Sequence, residues 1–243
     1  FASRHLAEEL LSSIPLPIWI KKIFLTRRQR NGYTIGDGIT KENIKTVEDD
    51  FLKLLEILSN IFDKRKFLFG NRPSIADIGF SGPFFRHFAL DPVPLEIIRQ
   101  KAPKVLSWVT NLWNARVSKI DDDFEKGIPK DLEPLLREIG KVYLPYLSAN
   151  VDAVRQNKTK FDFKFGNVFL KNARYSLYRI WCLKELRDRY NKLEEKDKTQ
   201  VEILLKKFGC WEPLWRDKNL PLMDNQEEDL PFRADRKMLG VNE

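Results

Sequence analysis

Phe67-Leu-Phe-Gly-Asn-Arg-Pro-Ser-Ile-Ala-Asp-Ile-Gly-Phe80 reads as an apolar arrival, a turn and a helix start. Gly70, Asn71 and Pro73 supply the turn. Ser74 suits the N-cap, because its hydroxyl can accept from the unpaired N–H groups of a first helical turn. Asp77, three residues on, can reach back to the Ser74 N–H, which makes a capping box with Asp in the usual Glu or Gln place. Pro73 and Ile78 hold the two positions of a hydrophobic staple. Beyond the box the residues are apolar on nearly every side: Ile75, Ala76, Ile78, Phe80, Phe84, Phe85 and Phe88. A helix apolar all round is expected to be buried.

Upstream, Thr40 starts a helix with Glu42 and Asn43 in its first turns. Its stripe of Ile44, Val47, Phe51, Leu54, Leu55, Leu58, Ile61 and Phe62 faces a core. Gly32, Gly36 and Gly38 mark a loop before it. Ile18–Leu25 reads as a helix, divided by Pro15 and Pro17 from an earlier one over Phe1–Leu11. Downstream, the central helix ends near Phe88, and Pro92 and Pro94 call for an extended passage. A short helix over Leu95–Lys101 follows. Pro103 then opens a helix carrying Val105, Leu106, Trp108, Val109, Leu112 and Trp113. Arg86 and His87 interrupt the apolar central helix. A buried arginine needs a partner, and Asp77 or Asp91 is available, so a structural ion pair is favoured over a ligand site.

This order of elements over residues 1–117 resembles the C-terminal domain of the glutathione S-transferases. Phe67, Leu68, Gly70, Pro73, Ser74, Ala76 and Asp77 fall where that family has its apolar pair, glycine, Ser/Thr cap, alanine and aspartate. The Pro103 helix with its tryptophan is similar to the family's next helix. The resemblance implies an all-α, glutathione-transferase C-terminal-like helical bundle. It also implies that glutathione, as co-substrate, is held by the protein's own N-terminal thioredoxin-like domain. That domain brings the activating Tyr, Ser or Cys, the cis-proline and an acidic-Ser pair. None is recognisable here, and Phe1 in place of a methionine is expected of a fragment. The isolated chain is therefore expected to be non-catalytic and to bind glutathione poorly. The helical domain normally supplies the wall for the hydrophobic co-substrate, which puts Arg4 and His5 forward as substrate-binding candidates. Against that stands an ordinary surface arginine and a half-buried histidine. A homodimer is possible.

Length and composition bound the rest. The 243 residues suit one large domain or two small ones, expected as 1–120 and 121–243. A hydrophobic fraction of 42% with 17 Phe and 6 Trp marks a globular chain. No apolar run reaches membrane-spanning length, and no signal peptide pattern is present. Cys182 and Cys210 are too few for a disulfide scaffold and have no metal spacing, so no metal is expected and a reducing compartment is. The cytoplasm fits, with mitochondria as the alternative. The net charge of +8 sits almost wholly in residues 1–120, where 19 Lys and Arg face 12 Asp and Glu. Lys21, Lys22, Arg27, Arg28 and Arg30 carry much of the excess. An anionic partner is one reading, but no aromatic-interleaved basic stripe supports nucleic acid. A solvated helix end explains the cluster.

After Val117 the composition shifts. Asp121, Asp122 and Asp123 with Gly127 and Pro129 read as a linker or surface loop. Asp131–Leu147 reads as a helix kinked by Pro145. Phe161, Phe163 and Phe165 alternate with polar residues, then Gly166-Asn167 leads to Val168, Phe169 and Leu170, a β-hairpin near 160–171. Its phenylalanine face must pack on something. Tyr175–Leu193 returns to helix, with Tyr178, Trp181, Cys182, Leu186 and Tyr190 on one side and Arg179, Lys184, Glu185, Arg187 and Asp188 on the other. A helix from about Lys198 ends at Gly209. Cys210-Trp-Glu-Pro-Leu-Trp215 is an aromatic knot, and a polar tail follows from Arg216. Tyr143–Leu147, Tyr178–Arg187 and Gly209–Trp215 resemble the extra C-terminal region of a group of larger glutathione-transferase-like proteins. The whole is thus a helical domain followed by a mainly helical extension.

For chemistry, Arg179 and Lys184 near Cys182 could favour a thiolate. Its place beside Trp181 on the apolar side instead fits an inert small hydrophobe, and Cys210 beside Trp211 takes the same discount. Two functions stay open. One is the helical co-substrate-binding part of a glutathione S-transferase-like enzyme. The other is a non-catalytic interaction module, as such helical domains are in translation factors and mitochondrial import components.

Overall fold

In a computed structural model of the chain, residues 2–120 and 124–221 are described. Phe1, the three aspartates at 121–123 and the tail from Leu222 lie outside them. Two compact units divide the chain, Phe1–Leu136 and Arg137–Glu243.

In the first unit, α1 (Ala2–Leu10) and α2 (Ile18–Arg27) flank the Pro15–Pro17 break and close on a small cluster of Ala7, Leu11 and Leu25. The glycine-rich stretch that reads as a loop is largely helical. Arg28–Thr34 forms a π-helical segment and Ile35–Asp37 a 3-10 turn, ended by Gly38 at φ +85°. The Asn43 side chain accepts from the Thr40 N–H at 2.8 Å and donates to the Gly38 carbonyl, so α3 starts at Ile44 rather than Thr40 and runs to Phe62. Leu55, Leu58, Ile61 and Phe62 are its buried face.

The tight turn at Phe67–Gly70, with Gly70 at φ +129°, delivers the chain to α4 (Ile75–Pro83). Pro83 has no N–H for the Gly79 carbonyl, and the helix widens into a π-segment over Phe84–Phe88. Burial on α4 is one-sided. Asp77, Ser81 and Phe84 are buried, while Ile75 and Ile78 are 68% and 63% exposed. The expectation of an all-round buried helix is corrected, because neighbours within this unit cover only one face. Arg86 and His87 are exposed too, so no buried ion pair forms; His87 lies 3.5 Å from Asp91.

Only Asp91 is extended at the proline pair. Pro92 opens α5 (Pro92–Lys101), because a proline at the first helical position gives up an N–H with no helical partner. Pro103 does the same for α6 (Pro103–Trp113). Val105, Trp108 and Val109 turn inward, whereas Trp113 is 73% exposed and meets Phe85 edge-on at 5.2 Å. The core gathers α3, α4, α5 and α6 with Phe67, Leu68, Leu132 and Leu135.

The second unit begins within α7 (Glu133–Glu138). The long helix expected through Leu147 is broken by a π-segment over Ile139–Tyr143, after which α8 (Leu144–Arg155) takes Pro145 in its first turn. The hairpin pairs β1 (Lys160–Phe165) with β2 (Val168–Arg174) antiparallel across the two-residue turn at Gly166-Asn167. A bulge after Phe161 is held by the Asn172 N–H donating to Asp162. Phe161 and Phe163 lie against Tyr146 of α8 at 5.5 and 5.2 Å, which answers what the phenylalanine face packs on. Among the described residues three helices remain: α9 (Leu177–Asn191), α10 (Glu195–Lys207) and α11 (Trp211–Trp215). Gly209, at φ +70°, ends α10 in the left-handed conformation a C-terminal glycine favours. Tyr190, Trp211 and Trp215 meet pairwise at 5.3 to 5.7 Å, forming the aromatic knot.

Candidate functional site

The start of α4 carries the densest polar arrangement of the first unit. Ser74 Oγ accepts from the Asp77 N–H at 3.3 Å, and Asp77 Oδ2 accepts from the Ser74 N–H at 2.8 Å, so both halves of a capping box are made. The Ser74 hydroxyl also donates to Oδ2 at 2.6 Å. The other carboxylate oxygen looks elsewhere. Oδ1 accepts from the Leu68 N–H at 2.8 Å and from Trp108 Nε1–H at 3.0 Å. Four donors from three parts of the chain converge on one fully buried carboxylate. Trp108 is fixed in turn by stacking on Phe62 at 4.8 Å and by Phe84 edge-on at 5.3 Å. The arrangement is saturated, so Asp77 is a joint between α4, α6 and the 67–70 turn and has no lone pair left for a ligand.

Residues 21–115 match the family described as glutathione S-transferase, C-terminal domain. This segment is a glutathione S-transferase C-terminal-like domain. No curated protein and no solved structure matches the chain.

The transferase-like domain has a polar cleft of about 350 Å³ that includes Phe62 and Trp108 in its lining. Three of its four cations are engaged. Arg65 grips Asp131 with both arms of its guanidinium at 3.0 and 2.7 Å, Lys64 joins at 3.2 Å, and Lys104 sits 3.3 Å from Asp63. Hydrogen bonding from Arg65 holds the Asp131 carboxyl below its ordinary value. Arg4 and His5 lie on the exposed side of α1, just before the matched residues, where Arg4 pairs with Glu8 at 2.9 Å.

The two thiols lie in the second unit. Cys182 is half-buried on α9, one turn after Tyr178, and is hydrogen-bonded to Tyr178 and Tyr143. Burial pushes its thiol up, and the hydrogen bonds and Arg179 only partly oppose this. Arg179 is engaged with the Arg174 carbonyl at 2.7 Å and the Tyr146 ring at 4.8 Å. Burial also raises Tyr143, to about 12. Cys210 is buried and pushed up for the same reason. Raised thiols are poor nucleophiles at neutral pH, so the thiolate reading of Cys182 gives way to the inert one.

What the sequence reading missed is Arg187. It reads as part of the polar side of α9, yet the buried line of that helix is Ile180, Leu183 and Arg187. Arg187 Nε donates to the Leu214 carbonyl at 2.8 Å, and Nη1 to the Asp217 carbonyl at 2.6 Å. A four-residue step from Leu183 was the only signal. Among the described residues, no group of three His, Cys, Asp or Glu side chains is placed to hold a metal, and no helix is long and apolar enough to cross a membrane.

Proposed function

We propose that this chain supplies the co-substrate wall of a glutathione S-transferase-like protein, and that the thiol chemistry belongs to a thioredoxin-like domain carried by the same protein. The match over residues 21–115 is the observation that supports this reading. The raised thiols of Cys182 and Cys210 agree with it, since neither supplies an activated nucleophile. Arg4 and His5 are the proposed edge of the electrophile site, and glutathione is the proposed co-substrate. A homodimer and a reducing, cytoplasmic setting belong to the same reading.

The test is conjugation of glutathione to a halonitroarene, measured with the 243-residue chain and with the native protein isolated from its own cells. Turnover is expected from the native protein only. Arg4→Ala or His5→Ala is expected to raise the KM for the electrophile several-fold while kcat stays within about twofold, as for loss of uniform binding. Absence of turnover from both preparations overturns the enzymatic reading in favour of a non-catalytic interaction module.

A further inference from the structure

A cavity of about 520 Å³ in the second unit is lined by residues of α9 and of the chain that follows α11, among them Arg187, Trp215 and Lys218. Two hydrogen-bond donors beside it have no acceptor among the described residues. Arg187 Nη2 and Trp215 Nε1 are both buried and both unpaired. They are neighbours, because the guanidinium carbon of Arg187 lies 5.4 Å from the centre of the Trp215 ring. A buried donor without an acceptor is costly, so a native structure that keeps two side by side calls for an occupant.

The charges around Arg187 give the sign of that occupant. Arg187 is only 7% exposed, and its two hydrogen bonds go to backbone carbonyls, not to a carboxylate. Each acid of the cavity already has a cation beside it. Asp188 pairs with Lys184 at 2.8 Å. Asp217 Oδ1 takes Arg155 at 2.6 Å; its Oδ2 lies 3.4 Å from Arg216 and is a third buried atom of the cavity lining without a hydrogen bond among the described residues. A buried cation without a hydrogen-bonded anion is the less favourable half of an ion pair. Burial accordingly disfavours its charge, and only the nearby Asp217 works the other way.

We infer that this cavity is a binding site for a small oxyanion, a carboxylate or a phosphate, whose oxygens accept from Arg187 Nη2 and Trp215 Nε1. The planar fork of an arginine suits both oxyanions. The volume falls in the range of small-ligand sites. The exposed Lys218 at the rim adds favourable charge. The site lies outside residues 21–115 and does not depend on the transferase reading.

Isothermal titration of the full chain with inorganic phosphate and, separately, with succinate tests this, with ionic strength held constant by chloride. Saturable one-to-one binding of at least one probe is expected, and the stronger of the two identifies the oxyanion class. Trp215→Phe keeps the ring beside Arg187 and Tyr190 but removes the donor, and is expected to weaken binding about tenfold. Arg187→Lys keeps the charge, loses the fork, and is expected to weaken it at least as much. Circular dichroism of each variant confirms that it is folded. Lys196→Ala, on an exposed lysine paired with Glu194 outside the cavity, is expected to bind as the parent does. Absence of saturable binding of both probes overturns the inference. So does a folded Trp215→Phe that binds as tightly as the parent, or an equal loss in Lys196→Ala, which marks general charge attraction.

Discussion

Asp77 and Ser74 form one capping box but carry unequal shares of it. Removing the Ser74 hydroxyl costs one cap, about 1 kcal/mol. Removing the Asp77 carboxylate also leaves the Leu68 N–H and Trp108 Nε1–H without acceptors, for a total of at least about 3 kcal/mol. Urea midpoints of Ser74→Ala and Asp77→Ala are therefore expected to differ clearly, and equal midpoints contradict the joint described here. Gly140 poses a steric question instead. A Cβ there meets the Phe208 carbonyl oxygen at 2.5 Å and Gly209 at 2.9 Å, all backbone that cannot swing aside. Gly140→Ala is expected to destabilise by about 1–3 kcal/mol, although alanine is the better helix former. At this scale the sequence was partly legible. Ser74 and Asp77 announced each other by a three-residue spacing. The bond from Trp108, 31 residues away, exists only once α4 and α6 have packed.

Elements were legible where period and punctuation agreed. The hairpin showed itself by alternating phenylalanines around Gly166-Asn167, and α6 by its leading proline, whereas Pro92 reads as extended chain and in fact opens α5. The π-segments were not legible. A widened turn adds one residue to a helical repeat, and only Pro83 and Pro145 hinted that a carbonyl would lose its donor. Helix faces were the harder reading, since an apolar residue is not obliged to be inside. On α4 this gives a sharp contrast. Ile78→Lys is expected to change stability by about 0.5 kcal/mol or less, as at an ordinary surface position. Phe84→Ala, six residues on and 1% exposed, is expected to cost about 3–5 kcal/mol. Thermal melting of the two variants checks this. On α9 the reverse holds: the charged Arg187 reads as a water-facing residue and is buried.

Across the whole molecule, pH acts from both ends. Asp131 is held below the ordinary carboxylate value of 3.8 by Arg65, so the unfolded chain takes up its proton first as acid is added. Its contribution is present above the ordinary value and is lost as pH falls through the lowered one. Tyr143 behaves oppositely. Between its ordinary value of 10.0 and the raised value of about 12, the unfolded chain has lost a proton that the folded chain keeps, so stability falls as pH rises. Tyr178 and both cysteines are shifted in the same upward direction. Urea midpoints across pH are expected to decline at both extremes. Asp131→Asn should flatten the acid side, and Tyr143→Phe the alkaline side. The charge imbalance between the chain's halves, by contrast, was fully legible in composition and implied nothing about the fold.

Trp108 is sealed from water, pressed flat on Phe62 and tied to a carboxylate. Its indole should therefore emit at the blue end of the tryptophan range and stay out of reach of iodide. Trp19 and Trp113, 62% and 73% exposed, should emit to the red and be quenched first. Colour thus separates surface from interior without a label. The light that survives a high iodide concentration should come in good part from the Asp77 joint, making the fastening of α4 to α6 visible in an ordinary fluorimeter.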